Sequence, residues 1–347
     1  MPPAPATPPA PVKTSTKRVL SLLRATGRQH LGNYLGAIRD MAALSQRADR
    51  ACFFGAADLH TLTTHPDPET IRKNVPELVL DMLASGVDPK RSVVYAQSGV
   101  PETSELFWLL CCLMPVGLLQ RATTFKDKSE KQPENVNAGL LAYPVLMAAD
   151  ILGPRADLVP VGEDQYQHLE MARDLAGKFN RQFCEGQEPL FPEPHPIARE
   201  PVRVPGLDGT GKMGKSEGNA LLLSDTAEQM WEKLRPAVTD PARKRRQDPG
   251  TPELCNIYGI HTLVSSPETV EWAARNCRTA GIGCIDCKKR LHGHLVELLG
   301  PVQSRRAELA KRPDLPRDVL SDGAKRAREV IGETVARAKD LMGVGGA

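Results

Sequence analysis

The chain has 347 residues, a hydrophobic content of 41% and a formal net charge of +3, which fits two domains with packed cores. No apolar run reaches the roughly eighteen residues of a membrane-spanning helix, which argues against a membrane partner. The N-terminus lacks the apolar segment of a secretory signal, so we expect a cytoplasmic protein in a reducing compartment.

The first segment, residues 1–17, contains six prolines among alanines and threonines. A segment of this composition cannot bury a core, and it favours an extended, polyproline-like conformation. We therefore expect residues 1–17 to form a disordered tail, with the fold starting near residue 18.

Four short apolar runs then predict buried β-strands, and segments with helical spacing lie between them. The predicted strands are Arg18–Arg24, Ala51–Ala57, Ser92–Ala96 and Asp157–Val161. The predicted helices are Leu31–Leu44, Glu69–Ala84, Glu102–Leu113 and Tyr166–Phe179. Strands that alternate with helices indicate an α/β fold with a parallel, Rossmann-like sheet. We place this domain at residues 18–220, with a helical insertion around residues 101–150.

Helical spacing dominates after residue 220, so we expect an α-helical C-terminal domain over residues 221–347. Apolar residues at helical spacing form one face of a final helix: Ala327, Val330, Ile331, Val335, Ala338 and Leu341. Gly343 is expected to end that helix. Ligands of parallel sheets bind at the carboxyl ends of the strands, and two motifs of the chain are expected there.

The first motif, residues 30–33, reads His-Leu-Gly-Asn at the start of a predicted helix. A helix start offers N–H groups and a positive dipole end to a phosphate, and Gly32 lets a ligand approach the backbone closely. His30 and Asn33 add side-chain donors that can stabilise charge on a phosphate under attack. Taken alone, such a tetrapeptide is more often an ordinary helix start.

The second motif, residues 212–216, reads Lys-Met-Gly-Lys-Ser in a glycine-rich loop. The glycines predict a mobile loop, whose lysines Lys212 and Lys215 can follow charge onto a departing pyrophosphate. The alternative for this loop alone is a solvated basic surface. The two motifs in this order favour an enzyme that splits ATP between its α and β phosphates.

The two motifs resemble the signatures of class I aminoacyl-tRNA synthetases, and from residue 18 onward the chain is similar to bacterial tryptophanyl-tRNA synthetases. The matching stretches are Gly32–Ala37, Asp58–His60, Phe125–Ser129, Ala138–Pro144, Leu146–Leu152 and Val159–Gln165. The resemblance implies that L-tryptophan and ATP, with Mg²⁺, give tryptophanyl-adenylate and pyrophosphate. The tryptophanyl group would then move to tRNA(Trp). The family acts as a homodimer, which the apolar segment Leu106–Leu119 permits here.

The resemblance also implies roles for individual residues. Asp150 would accept a hydrogen bond from the indole N–H and Met147 would pack on the ring, since indole is a large apolar body with one donor. The other positions implied at the amino acid are Tyr143, Val159, Val161 and Gln165. Those implied at ATP are Arg24, Ala25, Thr26, Gly32, Asn33, Gly162, Glu163, Asp164, Val204, Lys212, Met213, Gly214, Lys215 and Ser216. Catalysis would fall to His30, Asn33, Lys212 and Lys215, and Lys126 and Lys128 can also reach the phosphates.

The chain departs from the family pattern at both signatures. Where the family has Ser-Gly-Ile-Gln-Pro-Thr-Gly, residues 21–27 read Ser-Leu-Leu-Arg-Ala-Thr-Gly. Leu22 thus replaces a glycine, Arg24 a glutamine and Ala25 a proline, while Gly214 replaces the central serine of the lysine loop. These changes put the affinity for ATP in question. They leave open a paralogue that binds tRNA or a protein without aminoacylation, and a small-molecule nucleotidyltransferase of the same fold is a further alternative.

Four of the eight cysteines cluster in the predicted C-terminal domain: Cys255, Cys277, Cys284 and Cys287. Four thiolates that close with Cys-x-x-Cys in a reducing compartment can ligate zinc or an iron–sulfur cluster; plain thiols are the third possibility. A subset of tryptophanyl-tRNA synthetases has a similar arrangement with a 4Fe-4S cluster, which makes that cluster the favoured cofactor and Zn²⁺ the alternative.

A tRNA partner would be held through its phosphates and its unpaired loop bases. Two basic runs, Arg243–Arg246 and Lys288–Arg290, flank the cysteines and are candidates for phosphate contacts. Each run is more often simply a solvated helix face. The few residues available for base stacking in this region are Tyr258, His261 and Trp272.

Overall fold

The computed structural model describes residues 16–162, 165–198, 202–214 and 217–345. Most of the tail expected at residues 1–17 lies outside these ranges. Within them, five parallel strands form one sheet in the order β3-β2-β1-β4-β5. The strands are β1 (Lys17–Leu23), β2 (Arg50–Ala56), β3 (Ser92–Ala96), β4 (Leu158–Val161) and β5 (His195–Ala198).

The α/β prediction is confirmed, and the four predicted strands lie within one residue of β1 to β4. β5 was not predicted, because its sequence His-Pro-Ile-Ala is short and contains a proline. The strand order reverses between β1 and β4. In a parallel sheet the ligand crevice lies at such a point, outside the carboxyl ends of the strands.

The helices pack on both faces of this sheet and continue beyond it. They are α1 (Leu31–Asn33), α2 (Arg39–Ser45), α3 (Asp58–Thr61), α4 (Pro68–Ala84), α5 (Pro101–Cys111), α6 (Val116–Arg121), α7 (Thr123–Lys131), α8 (Ala138–Leu152), α9 (Tyr166–Phe183), α10 (Ala227–Leu234), α11 (Asn256–Val264), α12 (Pro267–Arg278), α13 (Cys284–Ala310) and α14 (Leu315–Leu341). A π-helical turn over Tyr34–Ile38 joins α1 to α2. In the described ranges, no helix combines the length and apolar character needed to cross a bilayer.

Successive side chains of a strand point to opposite faces of the sheet, so the sheet has one layer of core on each face. Leu20, Phe53 and Tyr95 face a cluster shared with α5, α8 and α9, while Phe54 and Val94 face a cluster with α2 and α4. The side chains of both layers are almost fully buried from solvent. The sheet is therefore a rigid support for the loops at its carboxyl edge.

The last helix, α14, returns to this sheet. Gly323 of α14 lies so close to β3 that a Cβ there would stand 1.8 Å from the carbonyl oxygen of Val94. Ala327, Ile331 and Val335 join the same core as α5 and α8. The helix predicted to end near Gly343 therefore packs on the β-sheet of the first predicted domain. It does so although it lies well beyond the domain boundary expected near residue 220.

A third cluster connects the first signature to the helical part of the chain. Leu31 and Leu35 pack with Met213 of the lysine loop and with Leu291 and Leu295 of α13. The start of the helix that follows β1 is therefore held by residues from both later regions.

Candidate active site

Both signatures line one cavity of about 1200 Å³ at the carboxyl end of β1. Its walls come from the loop after β1, from the start of α1 and from two segments of the later chain. The lining includes Leu22, Arg24, Thr26, His30, Gly32, Asn33, Val204, Lys212, Met213 and Gly214. Two motifs separated by about 180 residues in the sequence thus share one site.

Backbone hydrogen bonds join the first signature to the segment that follows the lysine loop. The N–H of Leu31 donates to the carbonyl oxygen of Leu221 at 2.8 Å, and the N–H of Leu223 donates to that of Gln29 at 2.9 Å. These bonds surround an antiparallel bridge between His30 and Leu222. The segment that follows the lysine loop therefore fixes the position of the first signature.

A reciprocal cap orders the first signature. The N–H of Gly32 donates to Nδ1 of His30 at 3.1 Å, and the N–H of His30 donates to Oδ1 of Asn33 at 3.1 Å. With Nδ1 accepting, a neutral His30 ring carries its proton on Nε2. The Asn33 oxygen also accepts, so its amide group remains the donor. The cap therefore orients two side-chain donors at the cavity.

The cap limits which groups of this motif are available to a ligand. The backbone N–H groups of His30, Leu31 and Gly32 were expected to receive phosphate, yet each already has a protein partner. Gly32 lines the cavity, as expected of a residue that makes room for a ligand. A Cβ there would also stand 2.9 Å from Cε1 of His30, so the glycine makes room for the imidazole as well.

Arg24 lies in the cavity wall with a hydrogen-bonding group unused. Its Nη2 donates to Oγ1 of Thr64 at 3.4 Å, while its buried Nε has no partner among the described residues. Burial lowers the pKa of the guanidinium, which nevertheless stays charged at neutral pH. Ala25, also expected at ATP, packs instead in the core beneath the loop, where it is 1% exposed.

The lysine loop is anchored at its base. The N–H of Met213 donates to the carbonyl oxygen of Val204 at 2.8 Å, and that of Gly214 donates to Oδ1 of Asn219 at 2.9 Å. Lys212 is exposed on this loop and lines the cavity. Lys215 and Ser216 lie outside the described residues, so the mobility expected of the loop remains a prediction.

A second polar group surrounds Asp150, which is 4% exposed on α8. Nε2 of Gln97 donates to both carboxylate oxygens, at 2.7 and 3.0 Å, and Nε2 of His60 lies 2.9 Å from Oδ2. Burial raises the pKa of Asp150, while His60 and Gln97 act in the opposite direction. The carboxylate is thus oriented by two partners in a nearly dry environment.

Tyr143 belongs to a neighbouring hydrogen-bond network. Its hydroxyl donates to Oγ1 of Thr124 at 2.8 Å and lies 2.9 Å from Nε2 of His168. Nδ1 of His168 lies 2.9 Å from Oε1 of Gln165, so one buried imidazole joins both residues implied at the amino-acid backbone. Nζ of Lys128 stands 3.7 Å from the centroid of the Tyr143 ring, which brings that lysine to this side of the site.

Four polar residues of these networks were missing from the predicted site: His60, Gln97, Thr124 and His168. The Asp58–His60 stretch had pointed to His60, and Gln97 directly follows β3, where parallel strands place ligand contacts. His168 is fully buried on α9, and a lone buried histidine has no sequence signal that separates it from core packing.

The remaining predicted site residues differ in their exposure to solvent. Val159 and Val161 are buried in the core, and Met147 packs at its margin. Gly162 is exposed and its carbonyl oxygen accepts the N–H of Gln165 at 2.9 Å. Glu163 and Asp164 lie outside the described residues.

The four clustered cysteines line a small cavity of about 20 Å³. Burial raises the pKa of Cys287 to about 12, and the other three thiols act in the same direction. Nη1 of Arg243 lies 3.7 Å from Sγ of Cys277. Across the described residues, no three His, Cys, Asp or Glu side chains are arranged to hold a metal ion, so metal ligation remains a prediction.

The basic runs are less exposed than expected. Arg243 is buried and donates to the carbonyl oxygens of Arg246 and Ile282. Lys288 is also buried and donates to the carbonyl oxygen of Arg235 at 2.8 Å. Both cations are internal because they satisfy chain carbonyls, which leaves the other members of each run at the surface: Lys244, Arg245, Arg246, Lys289 and Arg290.

Comparisons with known proteins identify the family of this chain. A family model described as tRNA synthetases class I (W and Y) matches residues 13–300. The tryptophan–tRNA ligase of Deinococcus radiodurans is 45% identical over 329 residues, covering 94% of this chain and 98% of that protein. The corresponding ligase of Thermotoga maritima is 40% identical, covering 94% of this chain and 99% of its own length.

A solved structure gives the same result. The tryptophanyl-tRNA synthetase of Campylobacter jejuni, complexed with ADP and tryptophan, superposes with a TM-score of 0.81 at 33% identity, covering 94% of this chain and 100% of that one. The chain with its five-stranded parallel sheet is accordingly a class I tRNA synthetase. Within that class, the chain belongs to the tryptophan–tRNA ligase family.

Proposed function

We propose that this tryptophan–tRNA ligase forms tryptophanyl-adenylate in the cavity shared by the two signatures and then transfers the tryptophanyl group to tRNA(Trp). The observation that carries the proposal is the meeting of His30, Asn33 and Lys212 around one cavity of about 1200 Å³. This volume accommodates a nucleotide, and the ring of donors matches the charge on its phosphates.

The phosphates would be bound by side chains. Nε2 of His30 and the amide of Asn33 donate from one wall, Arg24 contributes a fixed positive charge, and Lys212 approaches from the other side. Lys215 would join Lys212 on the departing pyrophosphate, and Mg²⁺ would accompany ATP. Catalysis then consists of positioning and of charge stabilisation at the phosphates, without a covalent enzyme intermediate.

Asp150 would select tryptophan through the indole N–H. His60 and Gln97 fix the carboxylate, so no reorganisation is required when the indole arrives. A hydrogen bond to a charged acceptor is worth about 1.5–3 kcal/mol, and an amino acid without a donor at this position forgoes that bond. Tyr143 and Gln165, joined by His168, would hold the amino-acid backbone.

The cysteine cavity would hold a 4Fe-4S cluster. Four thiols line one largely apolar cavity beside a buried arginine, a donor set that suits sulfur-bridged iron. A cluster is larger than a single ion, so its four thiolates need not converge on one point. Since the free volume is about 20 Å³, loading requires these side chains to rotate. Zn²⁺ is the alternative.

The working enzyme would be a cytoplasmic homodimer that grips tRNA(Trp) with its exposed basic residues. Trp108 is 66% exposed and Val116 59% exposed on adjacent helices α5 and α6. Large apolar side chains exposed together mark interaction surfaces, and tryptophan is enriched in them. A second copy of this chain is the occupant that the family favours.

Tryptophan-dependent exchange of pyrophosphate into ATP tests the adenylate step. We expect exchange with tryptophan and Mg²⁺, and none with tyrosine or without amino acid. Aminoacylation of tRNA(Trp) then tests the transfer step. Exchange without aminoacylation would support an altered paralogue, and no exchange at all would refute the proposed site.

A further inference from the structure

Asp81 joins two distant parts of the chain at the rear of the first signature. This α4 residue is 2% exposed. Its Oδ1 accepts Nε of Arg306, on α13, at 2.6 Å, and its Oδ2 accepts the backbone N–H of Gln29 at 3.4 Å. Gln29 directly precedes His30, so a single carboxylate contacts both the signature backbone and the C-terminal helical region.

Charge makes this connection costly to break. Burial raises the pKa of Asp81, and the hydrogen bond and charge of Arg306 oppose that shift. Arg306 also pairs with Glu77, one turn earlier on α4. Removing one partner of a buried ion pair leaves an uncompensated charge, so loss of Arg306 would displace or protonate the carboxylate that Gln29 contacts.

Gln29 cannot move independently of the site. Its carbonyl oxygen accepts the N–H of Leu223 at 2.9 Å, and its side-chain Nε2 donates to the carbonyl oxygen of Gly27 at 3.0 Å. The residue is 2% exposed, so there is little room to absorb a shift. A displacement at Asp81 would therefore reach His30 on one side and the segment behind the lysine loop on the other.

We propose that Arg306 and Asp81 are positioning residues for the ATP step, which hold the backbone at Gln29 and thereby the donors of His30 and Asn33. Neither side chain lines the cavity, so the pair would act on the rate of adenylate formation and not on substrate contacts. This inference rests on the proposed ATP site. Ångström-scale displacement of a catalytic group costs up to roughly a hundredfold in rate.

A matched arginine on the same helix provides the control. Nη1 of Arg305 donates to the carbonyl oxygen of Ala84 at 3.4 Å, so Arg305 also ties α13 to α4 but does not contact Asp81 or Gln29. Arg306→Gln and Arg305→Gln remove the same charge from adjacent positions. If the pair only docks α13, Arg306→Gln should lower stability but leave the kcat of the folded enzyme equal to that of Arg305→Gln.

The experiment is tryptophan-dependent pyrophosphate exchange by the full-length protein, with kcat and both KM values measured well below the melting temperature of each variant. We expect Arg306→Gln to lower kcat by roughly tenfold or more with an unchanged KM for tryptophan, and Arg305→Gln to leave kcat unchanged. Asp81→Asn should match Arg306→Gln if the latter folds poorly. Arg306→Lys should recover part of the rate.

Equal kcat values for Arg306→Gln and Arg305→Gln would overturn the inference. So would a loss that scales with the unfolded fraction, or a rise in the KM for tryptophan with kcat intact. Absence of exchange in the unmodified protein is a different outcome, because it refutes the proposed ATP site itself.

Discussion

The imidazole of His30 folds back over Gly32, whose backbone N–H donates to Nδ1 at 3.1 Å. A Cβ at position 32 would stand 2.9 Å from the ring, closer than packed carbon atoms approach. A Cβ at position 32 would therefore displace the His30 ring, so the orientation of the ring depends on the glycine.

Gly32→Ala should turn the His30 ring and lower kcat for pyrophosphate exchange by roughly tenfold to a hundredfold, since the donor leaves its position. The KM for tryptophan should change little. Gly36→Ala is the control, because a Cβ there meets nothing within 4 Å. Equal activity of the two variants would contradict the role assigned to the cap.

Asp150→Asn should weaken tryptophan binding by about 1.5–3 kcal/mol, or roughly ten- to a hundredfold in Kd. A thioether analogue of tryptophan, in which sulfur replaces the indole N–H, separates this role from packing. The unmodified enzyme should prefer tryptophan to the analogue, and Asp150→Asn should reduce that preference, because a neutral amide oxygen accepts a weaker hydrogen bond than a carboxylate does. A preference that the substitution leaves undiminished would show that another group reads the indole.

Asp150→Asn should also change how the free energy of unfolding depends on pH. Because burial raises the pKa of Asp150 in the folded state, that state retains a proton that the unfolded chain has lost. The contribution of Asp150 to stability therefore falls as pH rises from its unfolded value, about 3.9, through its folded value. Asparagine does not titrate, so the stability of Asp150→Asn, measured by denaturant unfolding as a function of pH, should lack this part of the slope.

Arg24→Gln restores the residue usual in the family and removes the guanidinium whose buried Nε has no partner in the part of the chain that the structure describes. We expect the KM for ATP to rise by roughly tenfold or more, the value of a charged hydrogen bond, with the KM for tryptophan unchanged. Arg28→Gln is the control, since Arg28 lines the same cavity but donates to Oγ of Ser224 at 3.3 Å. Tighter ATP binding in Arg24→Gln would mean that the arginine obstructs the site.

Anaerobically purified protein should be brown, with visible absorbance in the blue and about four irons per chain, as expected for a single cluster. Cys287→Ser should abolish the colour and Cys52→Ser, at a buried cysteine of β2, should retain it. Burial raises the pKa of Cys287 to about 12, so loading should release protons and weaken as pH falls. A colourless protein that contains zinc would establish the alternative.

Trp108→Glu should convert a dimer into monomers, as measured by sedimentation velocity, because a carboxylate would be buried without a partner. Leu254→Glu serves as the control, at an apolar residue of similar exposure, 67%, outside α5 and α6. Dimers that persist in Trp108→Glu would place the interface elsewhere.

Residue spacing alone was enough for β1 to β4, but not for β5. The alternation in Phe53 and Phe54 and the helical spacing of Glu69–Ala84 are local patterns, and each maps directly onto β2 and α4. The two signatures likewise carry their chemistry in adjacent residues. A local pattern survives folding because backbone geometry fixes its period.

Only the tertiary structure decided which groups meet. His60, Gln97 and Asp150 come from three separate elements, and nothing in their spacing brings them together. Arg243 and Lys288 looked like surface cations, yet both lie inside because carbonyl oxygens surround them. Such contacts follow from the strand order and from the packing of the helices. Strand order and helix packing depend on the burial of whole apolar faces, and a local sequence pattern does not specify which faces pack together.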